Sequence, residues 1–548
     1  MSPIVTKILE NRGITAAELE DFLNPSIEKL AKPEELPGVV EAAEIVLDSI
    51  DYHRKIVVFG DYDCDGICAT AILSRTLKAL GGDVNEFIPN RLTEGYGMSE
   101  ASIAHMLKEN RGVGLVVTVD NGINSVEEVT NLKRKWCSVV VTDHHLPGES
   151  LPDANAIVNP KVAAPAHLQN LCGASVAFLL ANRVISEAKR RGLYKGASLA
   201  GPLLVMAGLA TVTDIMPLLG QNRILVAEAL SRFFTCAPYG LRELYLRAAR
   251  SANETLTTRD FGFMLGPRIN AAGRMSTGIE ALELLTCDDQ EIIRELARII
   301  DGYNVQRKQV EQAMVDEALS LVVPDAPAQV IDLPKGHPGV AGVVAARVME
   351  RLGGQVPVCV YAGNHGSGRA PAGFNIRDAF VACADALARF GGHAAAGGFS
   401  VKEGRMDDFR RLLCEYSASI VSNRNAASKT AEPDLWLTPS DITLELAESL
   451  KLMEPFGEGN REPVFGFKDV IFSEIKPLGV EGKHLLAVVN VSTPGARCVD
   501  GLRAVWWAHG DWIPKLRSES AAPHNLLFTL AISDYGERHV ELRIVSII

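Results

Sequence analysis

Ile56-Val57-Val58-Phe59-Gly60-Asp61-Tyr62-Asp63-Cys64-Asp65-Gly66 runs from a short β-branched segment straight into three alternating aspartates. Residues 56–59 have the composition of a buried strand. Residues 67–80, rich in Ala and Leu, have that of a helix closed by Gly81-Gly82. The carboxylates therefore sit where a strand hands over to a helix. The alternation continues, with strands predicted at residues 84–88, 115–119, 138–141 and 156–158 and helices at 99–109 and 124–135. Repeated strand–helix units predict an α/β fold with a mainly parallel sheet covered on both faces.

In an open parallel sheet the carboxyl ends of the strands share one edge, and ligands bind there. Four polar clusters are placed at that edge as the ends of strands. They are Asp61 to Gly66, Asp120-Asn121-Gly122, Asp143-His144-His145, and Thr213-Asp214 after the apolar stretch 203–212. The spacing gathers carboxylates from all four clusters and two imidazoles. Converging carboxylates repel one another or take up protons unless cations offset them. Hard oxygens with one or two imidazoles suit Mn²⁺ or Mg²⁺ better than a thiolate-rich zinc site. Two such ions sharing one carboxylate stabilise both the attacking and the leaving oxygen in phosphoryl chemistry.

Each cluster also has a simpler reading by itself. Asp63 or Asp65 can cap the following helix, Asp120-Asn121-Gly122 can be a turn, and the histidines can be a structural pair. Asp-x-Asp-x-Asp-Gly also imitates an EF-hand loop, but Ile72 stands at the twelfth position, where the bidentate Glu belongs. For all the simple readings to hold together at one sheet edge would be a coincidence.

The 548 residues exceed one ordinary core and predict three or four domains. Hydrophobic residues at 47% and charged residues at 22% match a folded soluble protein. No apolar run is long enough to span a bilayer, and the N-terminus lacks a signal-peptide pattern. The ten cysteines include no CxxC pair, so a reducing, cytoplasmic setting is expected. Cys64 and Cys68 read as core thiols. The net charge of −12 lends no support to a nucleic-acid partner, although cation-binding carboxylates contribute to it.

The first 50 residues and residues 172–250 read as mostly helical. A helix over 289–322, capped by Asp288-Asp289 and apolar at Ile292, Leu296, Ile299, Ile300 and Tyr303, is long enough to join two domains. Residues 325–416 form a Gly-rich α/β region, and the polar run 417–432 reads as a linker. Strands dominate from Asp434, notably at 485–491, 526–532 and 540–547, which predicts a small β-barrel.

The motifs beginning at Asp61, Val119 and Asp143 resemble the signatures of the DHH phosphoesterase superfamily. Later segments narrow the resemblance to the RecJ family across nearly the whole chain. These are Gly266-Pro267-Arg268-Ile269-Asn270-Ala271-Ala272-Gly273-Arg274, His337-Pro338-Gly339-Val340-Ala341-Gly342, Ser367-Gly368-Arg369, Gly373-Phe374-Asn375, Gly391-Gly392-His393 and Pro455-Phe456-Gly457-Glu458-Gly459-Asn460. The resemblance implies a 5′→3′ exonuclease on single-stranded DNA that uses two Mn²⁺ or Mg²⁺ ions, releases 5′-mononucleotides and serves DNA repair and recombination. It carries the metal ligands onto Asp63, Asp65, Asp120, His144 and Asp214, with Asp120 expected to bridge both ions. It places His145 near the scissile phosphate and completes a catalytic set of Asp120, His144, His145 and Asp214. Asp61 and Asp143 are left with positioning roles.

Guanidinium forks match phosphate oxygens, so Arg91, Arg268 and Arg274 are candidates to hold phosphate, with salt bridges as the simpler reading. That simpler reading is favoured for Arg91. Phosphate is favoured for Arg274, which lies with Asn270 in a Gly/Ala-rich motif. Ser367, Arg369, Asn375 and His393 resemble the substrate-side residues of the second domain.

The expected domains are a helical segment 1–50, a DHH domain 51–288, a connecting helix 289–322, a DHH-associated substrate-binding domain 323–417, a linker 418–433 and an OB-fold-like domain 434–548. In that last domain Lys483-His484 and Trp506-Trp507 are candidates for strand binding. Adjacent strand residues face opposite sides, so at least one Trp is expected in the core.

The expected partners are single-stranded DNA and a single-strand-binding protein or helicase, with no membrane and a monomeric state. A further C-terminal domain found in some relatives is not expected after residue 548. Cys64 stands where the family more often has Ala. Two rival readings stay open: a DHH phosphodiesterase on short oligonucleotides or cyclic dinucleotides, and a non-catalytic single-strand-binding scaffold. The third domain and joining helix speak against the first, and the complete ligand set against the second.

Overall fold

Five short, largely β-branched segments pair in parallel: β1 (Lys55–Phe59), β2 (Val84–Phe87), β3 (Val113–Thr118), β4 (Ser138–Thr142) and β5 (Ala156–Val158). The computed structural model describes residues 2–91, 93–95, 97–249, 255–421, 432–491, 501–519, 522–533 and 537–548. Val57, Val58, Phe59, Val116, Val117 and Val139 to Val141 are all fully buried, as expected when helices cover both faces of a parallel sheet. The helix Cys64–Ala79 is buried along most of its length and packs against the helices Gly173–Arg190 and Ala200–Thr213.

The strand order is β2-β1-β3-β4-β5. The chain leaves β1 for β2 on one side and returns to β3 on the other. Such a switch point opens a crevice beyond the carboxyl ends of β1 and β3. Asp61 and Asp120 stand two residues beyond those ends.

Gln290–Ser320 is one helix of 31 residues, about 46 Å long at the usual rise. Asp289 caps it, accepting from the backbone N–H of Glu291 and Ile292 at 2.8 and 3.2 Å. Asp288 pairs instead with Arg75 at 3.1 Å. The expected apolar stripe is corrected at its start: Ile293 is buried and Ile292 is exposed. Ile293, Leu296, Ala297 and Ile300 keep the helical period that Ile292 breaks.

At the far end of this helix Met314, Val315 and Ala318 enter the core of a second sheet. Its strands are β6 (Gln329–Leu333), β7 (Val358–Ala362), β8 (His365–Arg369), β9 (Leu387–Gly392) and β10 (Ala396–Val401), in the order β6-β7-β8-β10-β9. In this sheet only β6 and β7 pair in parallel. The helix Met406–Val421 follows, with Ser417 fully buried. The expected linker start at 417 is thereby moved, because an apolar face at Phe409 and Leu413 holds that helix against the sheet. Residues 422–431 of the expected linker lie outside the described residues.

Both sheets belong to one compact unit, residues 31–216 and 228–427; residues 1–30, 217–227 and 428–548 form another. In this other unit the strands are β11 (Leu435–Trp436), β12 (Phe465–Leu478), β13 (His484–Val491), β14 (Leu502–Trp506), β15 (His524–Ser533) and β16 (His539–Ile547). β12 pairs with both β13 and β15, so the pairings pass through β13, β14, β16 and β15 and return to β12. The core joins Val5, Ile8, Leu9 and Phe22 to Phe465, Phe467 and Phe528. The first helices thus share a core with strands more than 400 residues away in sequence. Trp506 is 5% exposed and Trp507 51% exposed, which agrees with one core tryptophan.

Arg223 is buried in this unit. Its guanidinium donates to the carbonyls of Phe22, Glu454 and Met453 at 2.7, 2.7 and 3.1 Å and lies over the Phe22 ring. Arg223→Met would leave those carbonyls without their donor. It is expected to destabilise this unit by about 3 kcal/mol, read as a lower urea midpoint. Among the described residues the cysteines are free, Cys64 and Cys68 are buried, and no helix is long and apolar enough to cross a membrane.

Candidate metal centre

The crevice at the end of β1 and β3 collects its side chains through backbone contacts. Asp63 is the N-cap of Cys64–Ala79, its Oδ1 accepting from the N–H of Asp65 and Gly66 at 3.0 Å each. The capping role considered for this motif is therefore present. It coexists with a place in the cluster, since a cap occupies one carboxylate oxygen. Asp65 accepts from the N–H of Gly173 and Ala174, both at 2.7 Å. These are the first residues of the helix Gly173–Arg190, whose N-terminal dipole favours a negative charge there. Asn270 Oδ1 accepts from the N–H of Cys64 at 2.8 Å and so fixes the same turn.

Asp120 has a left-handed backbone, φ 60°, a strained conformation that Asp tolerates better than most residues. Its carboxylate is buried against Gly173: a Cβ there would lie 2.6 Å from Asp120 Cβ. His144 Nε2 lies 3.1 Å from Asp120 Oδ1 and 3.7 Å from both Asp65 Oδ2 and Asp214 Oδ2. Asp143 holds the loop. Its Oδ1 accepts from the N–H of His144 and His145 at 2.7 and 3.1 Å and pairs with His145 Nδ1 at 2.8 Å. Its Oδ2 accepts from the N–H of Ile123 at 2.9 Å.

Asp214 arrives differently from the expectation. The apolar stretch before it is the helix Ala200–Thr213, and Asp214 is its C-cap. Leu203 to Thr211 are buried without interruption, and such a run reads alike for a buried strand and a buried helix.

Among the described residues three groups form, each with its potential ligand atoms within 4.8 Å of one another: Asp61, Asp63 and Asp120; Asp65, His144 and Asp214; and Asp120, His144 and His145. Asp61 Oδ1, Asp120 Oδ1 and Asp214 Oδ2 are buried without a hydrogen-bond partner. His144 is near Asp120 Oδ1 but not aligned as a donor to it. Buried carboxylate oxygens are normally paired, and hard cations would pair these. The donor set of carboxylates with imidazole fits Mn²⁺ or Mg²⁺.

The electrostatics agree. Burial and the charge of Asp63 raise Asp61 well above the usual carboxylate range. Burial and the charges of Asp65 and Asp63 do the same to Asp120 and push Asp214 up to about 9. Burial lowers His144. For His145 burial acts downward, but the Asp143 hydrogen bond and charge outweigh it and hold the imidazole at about 9.

The structure places the expected phosphate-side residues unequally. Arg274 is half-buried, donates to the Gly339 carbonyl at 3.1 Å, and is lowered to about 10 by desolvation and the nearby charge of Arg91. Arg91 lies over the Tyr62 ring at 4.8 Å. Burial and Arg91 also lower Arg369. Arg369 and Ser367, on β8, flank the flat Cα of Gly342: a Cβ there would lie 2.7 Å from Arg369 Nη2 and 3.0 Å from Ser367 Oγ. His393 stacks on His145 with ring centroids 6.1 Å apart.

Two residues are occupied elsewhere. Arg268 donates to Asp301 at 2.9 Å and to the Met264 carbonyl at 2.8 Å, the salt-bridge arrangement. Asn375 is the N-cap of the helix Ile376–Ala382.

Gly173 and Ala174 are site residues that sequence reasoning missed; a Gly at the head of a helix is their only signal. Gly173→Ala is expected to weaken Mn²⁺ affinity about 10- to 100-fold by displacing Asp120, as measured by calorimetric titration.

The model of the DHH family N-terminal domain matches residues 55–205, and that of the RecJ OB domain matches residues 433–546. The single-stranded-DNA-specific exonuclease RecJ of Dickeya dadantii is 36% identical over 525 residues, covering 91% of this chain and 88% of that protein. The RecJ of Bacillus subtilis is 32% identical, covering 91% of this chain; the chain spans 63% of that relative's length. The crystal structure of RecJ in complex with Mn²⁺ from Thermus thermophilus superposes with a TM-score of 0.82 at 30% identity, covering 100% of this chain and 76% of the other. With that agreement in sequence and fold, the chain belongs to the RecJ family of single-stranded-DNA-specific exonucleases, as its motifs implied.

Proposed function

We propose that this chain degrades single-stranded DNA from the 5′ end, hydrolysing phosphodiester bonds to release 5′-mononucleotides, and serves DNA repair and recombination. The observation that carries the reading is the set of three buried carboxylate oxygens without a hydrogen-bond partner on Asp61, Asp120 and Asp214 in a chain of this family. Asp63, Asp65, Asp120, His144 and Asp214 are the proposed ligands, with Asp61 added by its place beside Asp63 and Asp120. Two ions, Mn²⁺ or Mg²⁺, when bound would activate water and offset charge on the phosphoryl oxygens. The Thermus relative, solved with Mn²⁺ and with Mg²⁺, supports that choice.

The chain's own groups divide the remaining work. His144, which burial keeps neutral, offers a ring nitrogen to a cation. His145, held as a cation by Asp143, donates to a phosphate oxygen beside the cluster. Asp143 positions both rings. Arg274, Arg91 and Arg369 offer charge to the non-bridging oxygens, and Ser367 a hydroxyl. On this reading residues 51–288 carry the chemistry, 323–417 grip the substrate across the cluster, and 434–548 guide the strand.

The test of polarity is digestion of one single strand labelled at either end. A 5′ label should appear as mononucleotide from the earliest times while a 3′ label stays on shortening strands. Early mononucleotide release from the 3′ label would contradict the proposal.

A further inference from the structure

The helix that delivers Asp214 ends in a strained cap. The N–H of Ile215 donates to the Val212 carbonyl at 3.2 Å, and that of Met216 to the Thr211 carbonyl at 3.1 Å. This pair of bonds is a Schellman motif, whose left-handed position usually holds Gly. Here that position is Ile215, φ 57°. Among the described residues it is the sole β-branched side chain with left-handed backbone, a combination that sterics disfavour.

The strain is not offset by burial of the side chain, because Ile215 is 69% exposed. The element packed on the same turn is also irregular. Asp260–Leu265 is a π-helix; a Cβ on Gly266 would meet Thr213 Cγ2 at 2.3 Å and one on Gly262 would meet Val212 Cγ1 at 3.5 Å. That π-helix exposes Phe263. Strained backbone and π-helical turns recur where a site requires them.

We propose that Ile215 contacts the substrate, packing against the nucleobase beside the phosphate that a cation at Asp214 would hold. The inference rests on the proposed action on single-stranded DNA. Ile215 follows Asp214 directly, at the end of the helix that carries that carboxylate. An exposed aliphatic side chain has nothing to offer a phosphate, and the base is the apolar part of a nucleotide. Every base presents an apolar face, so this contact is indifferent to sequence. In a duplex those faces are stacked on one another, so the same contact favours single strands.

The test uses Ile215→Gly and Ile215→Asn, residues that accept the left-handed conformation. Binding of a fluorescent, 5′-phosphorylated single strand is measured in Ca²⁺ at several salt concentrations, with melting temperature and Mn²⁺-supported kcat alongside. Both variants should bind about tenfold more weakly, with an unchanged salt slope because no phosphate contact is lost. Their kcat should stay within about twofold, and the Tm of Ile215→Gly should hold or rise by about 2 °C. Unchanged affinity, or a loss confined to kcat, would overturn the proposal and leave Ile215 a mere support for Asp214. A fall in Tm for both variants would remove the strained cap on which it stands. If the unsubstituted protein neither binds nor degrades single strands, the functional reading itself fails, and that result is distinct from a variant that matches it.

Discussion

Asp120→Asn is expected to lower the rate of single-strand hydrolysis by at least about a thousandfold at saturating Mn²⁺. Asp120 is the carboxylate that belongs to two ligand groups, with Asp61 and Asp63 on one side and His144 and His145 on the other. Asn keeps its size but removes the charge that two cations would share. The fold should not suffer in the metal-free protein, because burial and the neighbouring carboxylates already disfavour the ionised form of Asp120. Its metal-free Tm should therefore equal or exceed that of the parent. Asp143→Asn should cost less, about 10- to 100-fold, since Asp143 orients the histidines from outside the cluster. Hydrolysis by Asp120→Asn within tenfold of the parent would remove Asp120 from the bridging position.

The second large effect is on stability, and it changes with pH and metal together. Asp214 is raised from 3.8 to about 9 when folded, and His145 from 6.5 to about 9. Between those limits the folded chain keeps protons that the unfolded chain has released. The stability linked to them is fully present below the unfolded values and is lost as pH rises toward about 9. In chelator, Tm should fall by about 5 °C or more between about pH 6 and about pH 8.5. Mn²⁺ replaces the protons on the carboxylates, so its stabilising effect should be larger at the upper pH. A chelated protein whose Tm rises over that interval would contradict the raised carboxylates.

The parts of the site legible in sequence are those tied to the sheet. Asp63, Asp65, Asp120, His144 and His145 follow strands whose direction is set by β-branched, buried runs, and a parallel sheet leaves their carboxyl ends one shared edge. Asp214 is legible as a residue but not as a helix C-cap, because Leu203 to Thr211 are buried throughout and uniform burial erases periodicity. Asp61 reads in sequence as a positioning residue. Its proximity to Asp63 and Asp120 depends on the tight turn at Gly66, where a Cβ would lie 2.6 Å from Asp61 Cβ.

Other features depend on tertiary partners that motif spacing does not reveal. Nothing local to Arg268 announces Asp301, 33 residues away, and Asn375 is drawn into a helix cap whose start the motif does not mark. The burial of Ser417 follows from Phe409 and Leu413 reaching the second sheet, whereas its polar neighbours suggest a linker. The shared core of Val5, Ile8 and Phe22 with Phe465 and Phe528 is a long-range packing event with no local signature.

The most direct test of the account is one competition. A long 5′-phosphorylated single strand, the matching duplex and a dinucleotide are offered to the protein with Mn²⁺, beside a reaction in chelator and one with Asp120→Asn. Rapid conversion of the single strand to mononucleotides is expected in Mn²⁺, with little attack on the duplex or dinucleotide and none in either control. Preferential cleavage of the dinucleotide, or hydrolysis that survives both chelator and Asp120→Asn, would contradict it.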